Sequence, residues 1–490
     1  MKEKNFLEQL RNGRELSVKQ LLFMIIQLSV PAIMAQISSI VMQYIDASMV
    51  GHLGSAESAS IGLMTSSTWL LGGLCSAAGI GFTIQVAHCI GAKKEKKARN
   101  IMCQGLVAVF FFSCVLLLAG VLIHARLPVW LGGESGITGN ASLYFLLYCL
   151  FLPAVQMNYI AGGMLQCSGN MKVPSLLHIL MCFLDVLFNV FLIFPTRTLL
   201  VFNHSIVIPG AGLGVMGAAL GTALAELVVT FFMLYFLLVR SPMLHIRKRE
   251  HVRFSKNELA AAVRLSVPVA FEQIVMCGAQ IVSTRIASPL GMTAIAANSF
   301  SVTAESLCYM PGYGISAAAV TLIGQSVGAR RHDLMKKLAG LTVGFGMAVM
   351  AGMGILLYFF APWMIGLLSP DAAIRELGTK VLRIEAFAEP MYALSIVASG
   401  VFRGAGDTLV PSGLNFFSMW AVRLPLAAYL SHSMGLAGVW LAMCLELCVR
   451  GILFFIRLRG KRWYKMGSQQ KKTVLRHIGL ISKKNIRKNS

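Results

Sequence analysis

The chain has 490 residues, 56% hydrophobic and only 13% charged, with a mean hydropathy of +0.71 and a formal net charge of +23. A soluble domain carries about 25% charged residues, so this chain has too little polar surface to cover itself in water, which excludes a soluble enzyme. The positive charge gathers in short segments between apolar runs and in the tail, the pattern of one membrane face rather than a nucleic-acid groove.

Apolar runs of roughly 20 residues, the length a helix needs to cross a bilayer, recur along the whole sequence. In order they cover residues 21–49, 58–82, 102–124, 143–165, 174–194, 211–239, 263–287, 294–318, 338–360, 381–402, 412–430 and 436–456. The expectation is an all-α polytopic membrane protein with twelve transmembrane helices in two six-helix bundles related by a pseudo-twofold axis. Residues 1–20 read as a cytoplasmic N-terminal segment without a cleavable signal, 21–239 as a first lobe and 240–262 as a cytoplasmic inter-lobe link. Residues 263–456 read as a second lobe and 457–490 as a basic cytoplasmic tail lying near anionic lipid. Lys93, Lys94, Lys96, Lys97 and Arg99 follow span two; Arg240, Arg247, Lys248, Arg249 and Arg253 follow span six; Arg330, Arg331, Lys336 and Lys337 follow span eight. With twelve spans these links share one side, which predicts cytoplasmic termini in a bacterial inner membrane. The eleven cysteines lack disulfide or metal-ligand spacing and read as reduced packing residues.

The two halves repeat. Leu28, Ser29, Val30 and Pro31 recur as Leu265, Ser266, Val267 and Pro268; Gln36, Gln43 and Gly54 recur as Gln273, Gln280 and Gly291, the positions of every pair being 237 apart. Gly91-Ala92 recurs as Gly328-Ala329, and Gly163, Gly169, Val173 and Pro174 as Gly400, Gly406, Val410 and Pro411, at the same offset. The register then slips: Gly217 matches Gly438, an offset of only 221, because the link 195–209 is longer than its counterpart. An even number of spans per half gives both halves one orientation, hence a parallel repeat about the membrane normal with a cleft between the lobes.

The acids do not repeat. At the same offset Asp46 faces Ser283, Asp185 faces Val422, Glu272 faces Ala35, Glu305 faces Thr68, Glu385 faces Tyr148 and Glu389 faces Leu152. Scaffold is duplicated while charge is placed singly. An acid within a span is costly unless paired, protonated or facing water, so each is a functional candidate. Asp185 and Asn189 are four residues apart on one face of span five, and Asp46 ends span one in the same lobe. Together they could take up a proton or, with further oxygen ligands, hold Na⁺; the alternatives are a hydrogen-bonded packing pair and an acid marking a helix end. Glu272, Glu305, Glu385 and Glu389 either give a negative cavity for cationic solutes or are neutralised by Arg403, Arg423 or Arg285. Glu226 and Glu446 read as structural. Pro31 allows a moving bend or a fixed kink in span one. No Walker A motif, Gly-x-Ser-x-Gly or metal cluster appears, so neither an enzyme nor a cofactor is expected.

Three stretches in order, Pro31 through Asp46 to Gly51-His52-Leu53-Gly54, then Gly324-Gln325-Ser326-Val327-Gly328-Ala329, then Arg403-Gly404-Ala405-Gly406-Asp407-Thr408 with Pro411, resemble the multidrug and toxic compound extrusion (MATE) transporters over nearly the whole length. The resemblance is nearer to the bacterial NorM- and DinF-like branches than to plant or animal members. It implies two six-helix lobes and export of organic, often cationic, compounds by antiport with Na⁺ or H⁺, with drugs as partners and no nucleic acid; a monomer is expected. In the family an acid at the Asp46 position is tied to cation or proton binding, Pro31 sits where the first helix can bend in prokaryotic members, Glu272 falls near the family's acidic position in the seventh helix, and Glu389 near the tenth-helix acid of some sodium-coupled members. Span five of the family carries Asn then Asp; here the order is Asp185 then Asn189. A lipid-linked glycan flippase of the same superfamily is the rival expectation, and the mostly acidic in-span charge favours cationic solutes over it.

Overall fold

In lipid a backbone can satisfy its polar groups only within helices or closed barrels, and the long apolar runs fold accordingly. The computed structural model describes residues 6–13, 15–201, 204–247, 253–369, 371–460 and 463–464. The first half comprises α1 (Phe6–Arg11), α2 (Val18–Gly51), α3 (Ser55–Gly91), α4 (Glu95–Ile123), α5 (Leu127–Trp130), α6 (Ser135–Cys167), α7 (Lys172–Leu192) and α8 (Val215–Tyr235). The second comprises α9 (Lys256–Ala287), α10 (Met292–Gly328), α11 (His332–Leu368), α12 (Ala372–Glu385), α13 (Glu389–Ala405), α14 (Leu409–Phe417), α15 (Leu424–Met434) and α16 (Leu436–Arg459).

Ten helices among the described residues are long and apolar enough to cross a membrane. The tenth and eleventh expected spans account for the other two. The tenth is broken at residues 386–388 between α12 and α13, and the eleventh runs through a π-helical stretch, Ser418–Arg423, between α14 and α15. Element boundaries keep the sequence offset: α3 and α10 start at Ser55 and Met292 and end at Gly91 and Gly328, while α7 and α14 start at Lys172 and Leu409, all 237 apart.

The structure also departs from the sequence expectation at the ends of two helices and in one link. Helix α10 continues to Gly328 where hydropathy ends the span at 318, and α3 continues to Gly91 where it ends at 82. The polar residues there, Gln85, His88, Thr321, Gln325 and Ser326, are buried between the lobes rather than facing water, so the fall in hydropathy marks an interface and not a helix end. The link after α7 is an antiparallel ribbon, β1 (Pro195–Val201) with β2 (His204–Ala211). Its Thr-, Val- and Ile-containing strands suit extended pairing.

Helix α2 starts with a capping box: Ser17 Oγ accepts from the Gln20 amide at 3.3 Å, and Gln20 Oε1 accepts from the Ser17 amide at 2.9 Å. It runs unbroken through Pro31, whose carbonyl accepts a hydrogen bond from the Ser175 hydroxyl of α7. Each lobe has its own core, around Phe82, Met164 and Met233 in the first and Leu357, Ala388 and Trp440 in the second. A third cluster crosses between them at the end bearing the basic links, where Leu7 and Leu10 of α1 and Leu21 of α2 pack with Leu322, Ile323 and Val327 of α10. The lobes meet through α2 against α10 and α3 against α9 and α10. The approach is close: a methyl at Gly81 would strike the Ala262 carbonyl, and one at Gly314 the backbone of Ile33.

Candidate functional site

Helices α2 and α7 bring three of the candidate residues together in the first lobe. Asn189 Nδ2 donates to Asp46 Oδ1 at 2.8 Å and to Asp185 Oδ2 at 3.2 Å. The four-residue spacing of Asp185 and Asn189 puts both on one buried face of α7, and each is 0% exposed; Asp46 is half-buried. Gly221 of α8 leaves the room, since a methyl there would overlap Asn189 Oδ1. The amide therefore spends both hydrogens on two carboxylates. Asp185 Oδ1 and Asn189 Oδ1 are left without a hydrogen-bond partner. Every unsatisfied atom of this node is an acceptor, so it lacks what a proton or a hard cation supplies.

The second lobe is arranged differently. Glu272 of α9 accepts from Arg403 Nη2 at 3.0 Å through both carboxylate oxygens, from Ser412 Oγ at 2.7 Å and from Asn415 Nδ2 at 2.6 Å. This resolves one sequence alternative: Arg403, and not Arg285 or Arg423, is the ion-pair partner of Glu272. Its acceptors are engaged, so Glu272 is a strut joining α9 to α13 and α14. Glu446 is likewise held by Arg450 at 2.7 and 2.8 Å and by the Ser418 hydroxyl. Glu226 accepts from Asn158 at 2.6 Å.

Glu305, Glu385 and Glu389 make a second group of acids in this lobe, with the Arg423 charge acting on Glu305 and Glu385. All three are buried, and the four oxygens of Glu385 and Glu389 have no hydrogen-bond partner. Glu385 ends α12 and Glu389 starts α13, so they flank the break in span ten. Pro390 sits at the first turn of α13, where its missing amide costs nothing. Its repeat counterpart, Pro153, lies inside an unbroken α6. Beside the break, Tyr392 packs against Tyr309 with ring centroids 5.6 Å apart, and the Arg450 guanidinium lies 5.8 Å from the Tyr392 ring. No cluster of three or more His, Cys, Asp or Glu side chains suited to a metal ion occurs among the described residues.

Two polar residues are buried where the lobes cross: His88, which the sequence reading passed over, and Gln325, which it named only as part of a glycine-flanked turn. Arg450 was also missed, although its position four residues after Glu446 on one helix was legible.

The MatE family model matches residues 31–191 and 268–429, and the two stretches begin at the repeat-related prolines Pro31 and Pro268. A probable multidrug resistance protein NorM of Thermotoga maritima is 24% identical over 454 residues, covering 90% of this chain and 93% of that protein. Another, from Photorhabdus laumondii, is 26% identical over 460 residues, covering 91% and 96%. A crystal structure of MATE in complex with MaL6 superposes with a TM-score of 0.84 at 20% identity, over 96% of this chain and 100% of that one, which shows the shared fold.

Proposed function

The chain belongs to the MatE family, and on that footing we propose that it is a secondary active exporter of organic, amphipathic cations, driven by inward movement of H⁺ or Na⁺. The observation that carries this reading is the first-lobe node. Asp46, Asn189 and Asp185 are joined by hydrogen bonds yet leave only acceptor atoms unsatisfied. A proton or Na⁺ entering the node relieves that shortage, and its binding energy can then favour one arrangement of α2 and α7 over another. Coupling requires such differential binding between two states. Na⁺ fits the donor set, because carboxylate and amide oxygens are the hard ligands it takes.

The carboxylates of Glu305, Glu385 and Glu389 supply negative charge for a cationic solute, beside the apolar and aromatic faces of Tyr309 and Tyr392. Glu272 does not belong to this surface, because Arg403 neutralises it. Alternating access of the two lobes, with both termini on the cytoplasmic side of a bacterial inner membrane, completes the reading.

The test is efflux of a fluorescent organic cation from proteoliposomes with Na⁺ and pH gradients imposed separately. Efflux that follows one gradient and collapses with it is expected. Efflux indifferent to both gradients would remove the antiport reading.

A further inference from the structure

The sequence repeat and the structure coincide at one spot, the crossing of α3 and α10 at the basic end of the molecule. His88 Nε2 donates to the Gly404 carbonyl at 2.9 Å, and Gln325 Nε2 donates to the Cys167 carbonyl at 2.8 Å. Positions 88 and 325 are 237 apart, and so are 167 and 404. Each bond is therefore the repeat image of the other, and each crosses from one lobe to the opposite one.

The acceptors share a local reason. Cys167 ends α6 and Gly404 lies in the last turn of α13, where carbonyls have no intrahelical partner. Both helices turn off through a left-handed glycine, Gly169 at φ +97° and Gly406 at φ +86°, again 237 apart. Each lobe thus caps the other lobe's helix end. The backbones touch in the same mirrored way: a methyl at Gly91 would strike the Gln325 carbonyl, and one at Gly328 the His88 carbonyl. Leu7 of α1 lies against Gly169, beneath the same crossing.

We propose that His88 and Gln325 are a repeat-related pair of gating residues, a latch that holds the basic-end mouth between the lobes closed. Separating the lobes there breaks both bonds together, so the two act as one cooperative contact. The proposal rests on the transporter reading for its purpose, and on the geometry alone for its existence. The two residues differ chemically but serve repeat-equivalent carbonyls, Gly404 and Cys167, in the same frame, so the latch predicts that their side chains can be exchanged.

The test is hydrogen–deuterium exchange of the full chain in lipid nanodiscs, followed over residues 86–92 and 323–329, with residues 126–134 at the opposite end as a control. His88→Ala or Gln325→Ala should raise exchange at both mouth segments about tenfold or more, the worth of the two hydrogen bonds lost together, and leave the control segment unchanged. The single and double alanine variants should behave alike within about twofold, because either one opens the pair. The exchanged variant His88→Gln/Gln325→His should return to wild-type protection, which a merely space-filling role would not predict. Wild-type protection in the double alanine variant, or an exchanged variant as open as it, overturns the latch. A protein that passes this test but moves no organic cation in proteoliposomes would keep the latch and lose the transporter reading.

Discussion

Asp46 and Glu272 each sit on the first long helix of their lobe, α2 and α9, and both face Asn side chains, yet their surroundings lead to opposite behaviour. Glu272 accepts four hydrogen bonds within 3.0 Å, two of them from an arginine, and has nothing left to offer. Asp46 shares a single amide donor with a second carboxylate and has no cation beside it among the described ion pairs. One acid has all its acceptors answered within the frame; the other shares its one amide donor with a second carboxylate. An in-span acid is therefore not functional by position alone; the count of donors around it decides.

That contrast is most sharply broken at Asp46. Asp46→Asn keeps shape and most packing but removes the charge that an ion or proton answers. Gradient-driven efflux should fall about 5- to 150-fold, the span of ordinary coupling energies, while thermal unfolding in detergent stays within a few degrees of wild type. Undiminished efflux would make the first-lobe node as structural as its counterpart.

At Glu272 the expected loss is stability. Arg403→Met strands a buried carboxylate with only two neutral donors, Ser412 and Asn415. Removing one member of a buried ion pair costs about 3–5 kcal/mol, which denaturant unfolding of the detergent-solubilised protein would read. Glu272→Gln/Arg403→Met should recover most of that, since the amide oxygen still accepts from Ser412 and Asn415 without a charge to bury. If the double variant is as unstable as the single one, the arginine has a role beyond neutralising Glu272.

Much of this was legible beforehand. The constant offset between Gly91 and Gly328, or Gly169 and Gly406, reports real twofold-related turns and crossings, because close backbone approach and left-handed turns both demand glycine. The four-residue spacing of Asp185 and Asn189 placed both on one helix face. Three things were not legible. Arg403 is far from Glu272 in sequence, and three arginines were equally good partners on paper. The polar ends of α3 and α10 read as helix exits, because hydropathy cannot tell water from the opposite lobe. The break before Glu389 contains no glycine, and its proline has a twin in an unbroken helix, so composition held no signal for it.

The smallest expected effect separates two residues that the repeat makes equivalent. Ser29 and Ser266 are repeat partners, each two positions before the inner proline of its helix. Ser266 Oγ accepts from the Gly81 amide at 3.1 Å and donates to the Ala78 carbonyl at 3.2 Å, tying α9 to α3 across the lobe boundary. Ser29 Oγ is buried with no partner at all. Ser266→Ala should therefore destabilise the protein by about 1 kcal/mol, the net worth of a satisfied buried hydroxyl. Ser29→Ala removes a buried group that gains nothing in the folded state and should be neutral or stabilising by up to about 1 kcal/mol. Parallel unfolding curves of the two variants give the sign directly. Equal losses would mean that Ser29 finds a partner in another arrangement of the lobes, and the asymmetry between the halves would then belong to one state of the molecule rather than to its architecture.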